Sequence, residues 1–204
     1  MPAVVEHRGT ARRVITVNEA AFAASVSLKT VNQAIDREHV RTVELKRSTA
    51  RVRRGIDASD AVYLSVREVL APPVRAKLYR FLHGTPLKEL PLQFEVERII
   101  LDLAPAVDEV RRRLDLLTRI EERVEVDPEV RGGEPVFRGT RIPVYGIARK
   151  LALGATEEEL YEDHPRLEAG DLQIARLYAR LYPRRGRPRA DRERAAGRGD
   201  GATA

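Results

Sequence analysis

Between Glu134 and Val144 the chain reads Glu-Pro-Val-Phe-Arg-Gly-Thr-Arg-Ile-Pro-Val, and few local structures accommodate that order. Val136, Phe137, Ile142 and Val144 favour extended backbone. Between the two apolar pairs lies Arg138-Gly139-Thr140-Arg141, where Gly139 permits the positive φ of a tight reversal. Pro143 brings no N–H and belongs at an edge or a strand exit. The spacing predicts a short two-stranded ribbon with an arginine on each side of its turn.

Beyond Val144 the pattern is helical. Tyr145 to Leu153 forms a first helix, ended by Gly154. Thr156 and Glu159 have the spacing of a capping box and start a second, which Pro165 stops. A third runs from about Glu168 to Tyr182, with Leu172, Ala175, Leu177, Ala179 and Leu181 among its packing residues. A ribbon and three helices of this size can share one core.

The run PVFRGTRIPV, a helix, a glycine, TEEEL, a His-Pro break and a last helix resembles the small antitoxin domain of VapB-type antitoxins. The likeness covers roughly Val124 to Tyr182. It implies a partner, a VapC-like ribonuclease of the PIN class that holds Mg²⁺ or Mn²⁺ with clustered acids. Such antitoxins commonly thread a C-terminal segment over that cluster. Here that segment would be residues 183–204, where Arg184, Arg185, Arg187 and Arg189 are candidates for forked, charge-assisted bonds to the acids. Arg138 and Arg141 of the ribbon are further candidates for the toxin contact.

Charge distribution agrees with two separate acidic partners. Residues 1–60 carry 11 Lys/Arg against 7 Asp/Glu, residues 61–182 carry 19 against 21, and residues 183–204 carry 7 against 3. Both ends are basic and the middle slightly acidic. The last segment is rich in Arg, Ala and Gly and can build no core, so it is expected to be disordered when alone.

Near the other end, Thr16 and Glu19 have capping-box spacing, placing a helix start at Val17. After a turn at Ser25-Val26, Ser27 is a good N-cap for a second helix, Leu28 to about Glu38. Leu28, Val31 and Ile35 fall on its packing face. Asn32 and Gln33 can each bond adenine in two places, and Lys29, Thr30 and Arg37 can reach phosphate or bases. Thr42–Leu45 and Arg51–Arg54 then alternate as a hairpin around Lys46-Arg47-Ser48-Thr49. Six of the fourteen residues from Arg41 to Arg54 are basic. This layout resembles the winged helix-turn-helix of MerR-like and excisionase-like domains, which implies that Lys46, Arg47, Arg51 and Arg53 grip the DNA backbone.

The middle is less legible. Ala61–Val66 fits a strand or a helix entry, Pro72-Pro73 break what precedes them, and Val74 to Leu82 is a short helix with Val74, Leu78 and Phe81 on one side. Leu92–Val96 alternates as a half-buried strand. Pro105 opens a long helix to about Arg123, with Val107, Val110, Leu114, Leu117 and Ile120 as its stripe. That stripe is expected to face the core; the alternative is a dimer seam.

The expected fold is therefore α+β, mainly helical. A winged helix-turn-helix-like domain (1–60) is followed by a linking or dimerisation region (61–123), an antitoxin domain (124–182) and a basic tail (183–204). The four histidines lack ligand spacing, no cysteine is present, and neither a phosphate loop nor a Ser-His-Asp order occurs, so neither an enzyme nor a cofactor is expected. No apolar run of about 18 residues suggests a membrane span, and a cytoplasmic location is expected. The functional expectation is an antitoxin that binds operator DNA as a dimer and silences its toxin. The rival is a stand-alone dimeric transcription regulator whose C-terminal half dimerises or senses a signal.

Overall fold

The computed structural model describes residues 13–45 and 53–184. Its longest helix, here α5 (Ala104–Arg123), has Pro105 in its first turn, where a missing N–H costs nothing. Asp102 accepts the Ala104 N–H at 2.9 Å and helps start it. Val107, Val110, Leu114, Leu117 and Ile120 recur at helical spacing and are all buried. Burial of each such side chain stabilises the fold by about 2 kcal/mol. The stripe is consumed inside the chain, so it forms no seam for a second copy. On the outer side Glu109 pairs with both Arg112 and Arg113.

Around α5 the chain is α+β, with helices dominating. Strand β1 (Val14–Thr16) leads into α1 (Val17–Ala23), and the Thr16–Glu19 capping box is formed. Ser25 takes φ +59°, and the Val26 N–H reaches the Ala21 carbonyl, closing α1 and turning the chain. Ser27 accepts the Thr30 N–H and caps α2 (Leu28–Asp36). Val31, Ala34 and Ile35 form its buried face. Leu28, expected there, is exposed: it sits in the first turn, and Ala34 fills the packing position instead. Strands β2 (Val43–Leu45) and β3 (Arg53–Asp57) pair antiparallel, and β1 joins the other edge of β3. The turn expected at Lys46–Thr49 lies outside the described residues.

The ambiguous segment is helix α3 (Asp60–Val66). Its backbone is started by Asp57, whose carboxylate accepts both the N–H and the hydroxyl of Ser59. Ala61, Val62, Tyr63 and Leu64 are all buried, so the helix has no polar side whose period could be read. Helix α4 (Pro72–Leu82) places both prolines in its first turn. Leu78 and Leu82 face the core, whereas Phe81 is largely exposed and leans on Phe94, 5.0 Å between ring centres. Strands β4 (Gln93–Val96) and β5 (Ile99–Asp102) form an antiparallel hairpin with a Glu97-Arg98 turn.

The 134–144 ribbon differs from expectation. Strands β6 (Val124–Glu125) and β7 (Val136–Phe137) pair with each other, so the partner of β7 is the pair of residues that leaves α5, and not Ile142–Val144. Of the expected pairing there remain a bridge from Val136 to Pro143 and two backbone bonds, the Phe137 N–H to the Ile142 carbonyl and the Val144 N–H to the Pro135 carbonyl. Val144 is already the first residue of α6 (Val144–Ala152), for which Pro143 acts as N-cap. The turn itself is as expected, with Gly139 at φ +73°. Gly154, at φ +96°, ends α6, and Thr156 and Glu159 form the capping box of α7 (Glu157–Asp163). Helix α8 (Asp171–Leu181) starts after Gly170 and packs on α6. One continuous apolar cluster runs from Ile15 to Leu181 and joins these elements, β2 excepted.

Candidate functional site

Two surfaces collect the residues singled out by the sequence. The first is the outer side of α2. Lys29, Asn32, Gln33 and Arg37 are all exposed there, opposite the buried Val31, Ala34 and Ile35. Spacing of three to four residues puts them on one stripe. Thr30 is not part of it: its hydroxyl lies 2.9 Å from Ser27 Oγ, and its N–H is held by the cap. Arg41 and Arg54 are exposed beside the stripe, and Arg54 lies 4.0 Å from Asp36. Lys46, Arg47 and Arg51 lie outside the described residues; Arg53 is the first residue of β3.

Behind α2 a polar cluster fixes the junction to the sheet. The Arg41 N–H donates to Tyr79 Oη at 2.9 Å, and that hydroxyl lies 3.0 Å from His83 Nδ1. Burial pushes the Tyr79 hydroxyl up to about 12. His83 in turn meets the fully buried Asp60 at 3.2 Å. His39, just after α2, is held below the usual histidine range by desolvation and by the Arg67 guanidinium, 3.3 Å away. Hydrogen bonds thus tie the segment that follows α2, through His39 and Arg41, to Arg67 at the end of α3 and Tyr79 of α4, while α2 itself packs on α1.

The second surface is a cleft of about 790 Å³ where α5, β6, α8 and α1 meet. Tyr145, Tyr178 and Tyr182 line it, packed at 5.5 and 4.8 Å between successive ring centres. Tyr182 donates its hydroxyl to Glu19 of the α1 capping box, and burial next to that carboxylate raises its pKa. Asn18 donates to the Leu181 carbonyl at 2.9 Å, a second tie between α1 and the end of α8. Glu121 is raised above the usual carboxylate range by burial, although Arg13 bonds it at 2.7 Å. With aromatic walls and both signs of charge, the cleft suits a peptide segment. Among the described residues, no three His, Cys, Asp or Glu side chains converge as metal ligands would.

The expected toxin-contact arginines divide. Arg138 reaches back to the carbonyls of Glu122 (2.6 Å) and Glu121 (3.2 Å), so it caps the C-terminal turn of α5. Its guanidinium is committed inside the chain, though half-exposed. Arg141 is exposed on the far side of the turn. Arg184 pairs with Glu134 and lies 4.5 Å over the Tyr145 ring, at the mouth of the cleft. Arg185, Arg187 and Arg189 lie outside the described residues. The structure thus brings Arg138 and Arg184 together in the cleft and leaves Arg141 outside its lining.

The sequence reading missed Arg123. This residue makes a forked bond to Asp171, 2.8 Å on each arm, and also donates to the Arg138 carbonyl at 2.9 Å. Asp171 is 1% exposed and also accepts the Glu168 N–H. The bond raises the pKa of Arg123 further. The tyrosines were missed too. Three of the six in the chain line this one cleft, a clustering that the i, i+4 spacing of Tyr178 and Tyr182 hinted at.

The architecture is that of an α+β chain in which a helix pair on a three-stranded sheet is fused, through one long helix, to a small ribbon-and-helix unit. The chain belongs to the same family as the uncharacterized protein y4eO of Sinorhizobium fredii (strain NBRC 101917 / NGR234). The two are 32% identical over an alignment of 200 residues that covers 93% of this chain and 87% of the relative. Residues 124–179, from the first residue of β6 into α8, match DUF433, a family of proteins of unknown function. A DUF433 member protein from Anabaena variabilis is 32% identical over 37% of this chain and 75% of its own, with a TM-score of 0.30. Rv2018 from Mycobacterium tuberculosis is 17% identical over 79% of this chain and 95% of its own, with a TM-score of 0.31. Among the described residues, no helix is long and apolar enough to cross a membrane.

Proposed function

We propose that this chain is an antitoxin that represses its own operon. The outer side of α2 enters the major groove of operator DNA. The 124–182 unit, with the segment that leaves it, captures a VapC-like PIN-class ribonuclease. The observation that carries this reading is the α2 stripe: Lys29, Asn32, Gln33 and Arg37 are all exposed on one side, on a helix capped at its start and packed on its other face. Amide side chains read base edges, and the flanking cations bind phosphate. The basic residues around β2 and β3 would add backbone contacts beside the groove.

On the toxin side the support is the resemblance of the 124–182 segment and the place where the chain leaves the fold. Arg184 sits on the aromatic cleft, so the arginines after it start from a fixed point next to Tyr145. The segment after Arg184 is assigned to the toxin's acidic site, with affinity supplemented by contacts of the folded 124–182 unit. Two copies on paired half-sites would give the operator complex its symmetry.

The test is a binding measurement on the DNA upstream of the gene and on random duplex of equal length. Asn32→Ala and Gln33→Ala are each expected to cost about 1–3 kcal/mol of discrimination for the upstream DNA, with affinity for random duplex nearly unchanged. Equal losses on both duplexes contradict the groove assignment. Affinity for either duplex should fall steeply with salt, as phosphate contacts release counterions.

A further inference from the structure

Hairpin β4–β5 carries an open edge with an unusual sequence. Ile99 and Ile100 are 63% and 65% exposed, and Leu92 before β4 and Phe81 of α4 are exposed as well. Exposed edge strands are normally short, charged along their length or covered, because their free N–H and C=O groups recruit other strands. Among the described residues, the outer edge of β5 has no strand beside it. Its sequence is Arg98-Ile99-Ile100-Leu101-Asp102, a cation at one end, an anion at the other and apolar residues between.

We propose that this edge pairs with the same edge of a second copy of the chain, antiparallel about a two-fold axis at Ile100. The register is set by the hairpin. The Leu103 N–H bonds the Leu92 carbonyl at 2.7 Å, and Gln93–Asp102 through Val96–Ile99 pair in sequence. In an antiparallel ladder the inward-bonded residues alternate, so Leu103, Leu101 and Ile99 turn their backbone groups toward β4. Ile100 and Asp102 therefore turn theirs outward. A two-fold axis through Ile100 sets these outward groups opposite each other, whereas a slip by one residue would oppose an outward group to an inward one.

In that register every side chain meets a suitable partner. Ile100 faces Ile100 of the second copy, Ile99 faces Leu101, and Arg98 faces Asp102, each unlike pair occurring twice by symmetry. The face shared by Phe94, Val96, Ile99 and Leu101 is backed by Phe81 of α4, so pairing also covers that ring. Self-complementary charge at the two ends is what selects a copy of this chain over an unrelated strand. The paired edges are short and cover less than the roughly 1,200–2,000 Å² of a standard interface, so the association is of the weak, concentration-dependent kind. The dimer supplies the two-fold symmetry of an operator complex but needs neither DNA nor toxin.

The test is sedimentation velocity on the full chain across a dilution series, without DNA or any partner protein. The wild-type chain is expected to pass from monomer to dimer as concentration rises. Ile100→Lys and Arg98→Glu are each expected to weaken self-association by about tenfold or more, because each change acts twice across the axis. Arg98→Lys should retain the dimer. Both altered residues are exposed, so thermal unfolding of the monomer should match wild type, which separates lost pairing from lost folding. A wild-type chain that stays monomeric, or a dimer indifferent to both substitutions, overturns the proposal.

Discussion

Arg123 and Asp171 show how much a single pair can hold. The guanidinium leaves the last turn of α5, forks onto the carboxylate at the first residue of α8, and still donates to the carbonyl of Arg138. It also lies over the Phe137 ring. Three elements thus meet at one side chain. Replacing Asp171 by alanine leaves Arg123 only the exposed Glu168 carboxylate, 3.2 Å away, and backbone carbonyls, so the loss is expected at about 1–3 kcal/mol, below that of a fully orphaned buried charge. Urea unfolding of Asp171→Ala should show that loss as a lower midpoint with an unchanged slope; a change below about 1 kcal/mol would mean that solvent replaces the carboxylate at little cost. Neither residue was legible in advance. Arg123 is one of 37 basic side chains, and its partner lies 48 positions along the chain, so no local pattern marks the pair.

Elements were legible where their ends carry their own chemistry. The capping boxes at Thr16–Glu19 and Thr156–Glu159, the Ser27 cap and the Gly154 stop all act within a few residues, and all are present. Helix α3 was not, because burial on every side removes the alternation that marks a surface helix. The β6–β7 pairing was not either: Phe137 had an apparent partner five residues away in Ile142, but its strand partner Val124 comes from the end of α5. Gly154 gives a check at this scale. The Ala155 N–H bonds the Lys150 carbonyl and the Gly154 N–H bonds that of Leu151, a closure that requires the left-handed backbone at Gly154. Space for a Cβ exists, so Gly154→Ala should destabilise through backbone strain alone, by about 1 kcal/mol or more. Thermal unfolding that matches wild type would show that the loop relaxes.

The molecule as a whole joins its two candidate faces through one core. The sequence reading divides the chain at residues 60 and 123, yet α5 packs against α1, α3 and α8, and Asn18 and Glu19 bond the end of α8. Basic ends and an acidic middle were visible in the composition; their joining was not, because it depends on contacts more than a hundred residues apart. In this arrangement α1, which buttresses the α2 stripe, also anchors Tyr182 just before the chain passes Arg184.

The central claim is that one side of this assembly grips DNA while the 124–204 part silences a ribonuclease. It is tested most directly by co-expressing the chain with the product of the neighbouring gene and measuring RNA cleavage by that product, with the full chain or with residues 1–182 added. The account predicts that the full chain suppresses cleavage and that residues 1–182 suppress it markedly less while still binding the upstream DNA. Cleavage that proceeds unchanged in the presence of the full chain would contradict it.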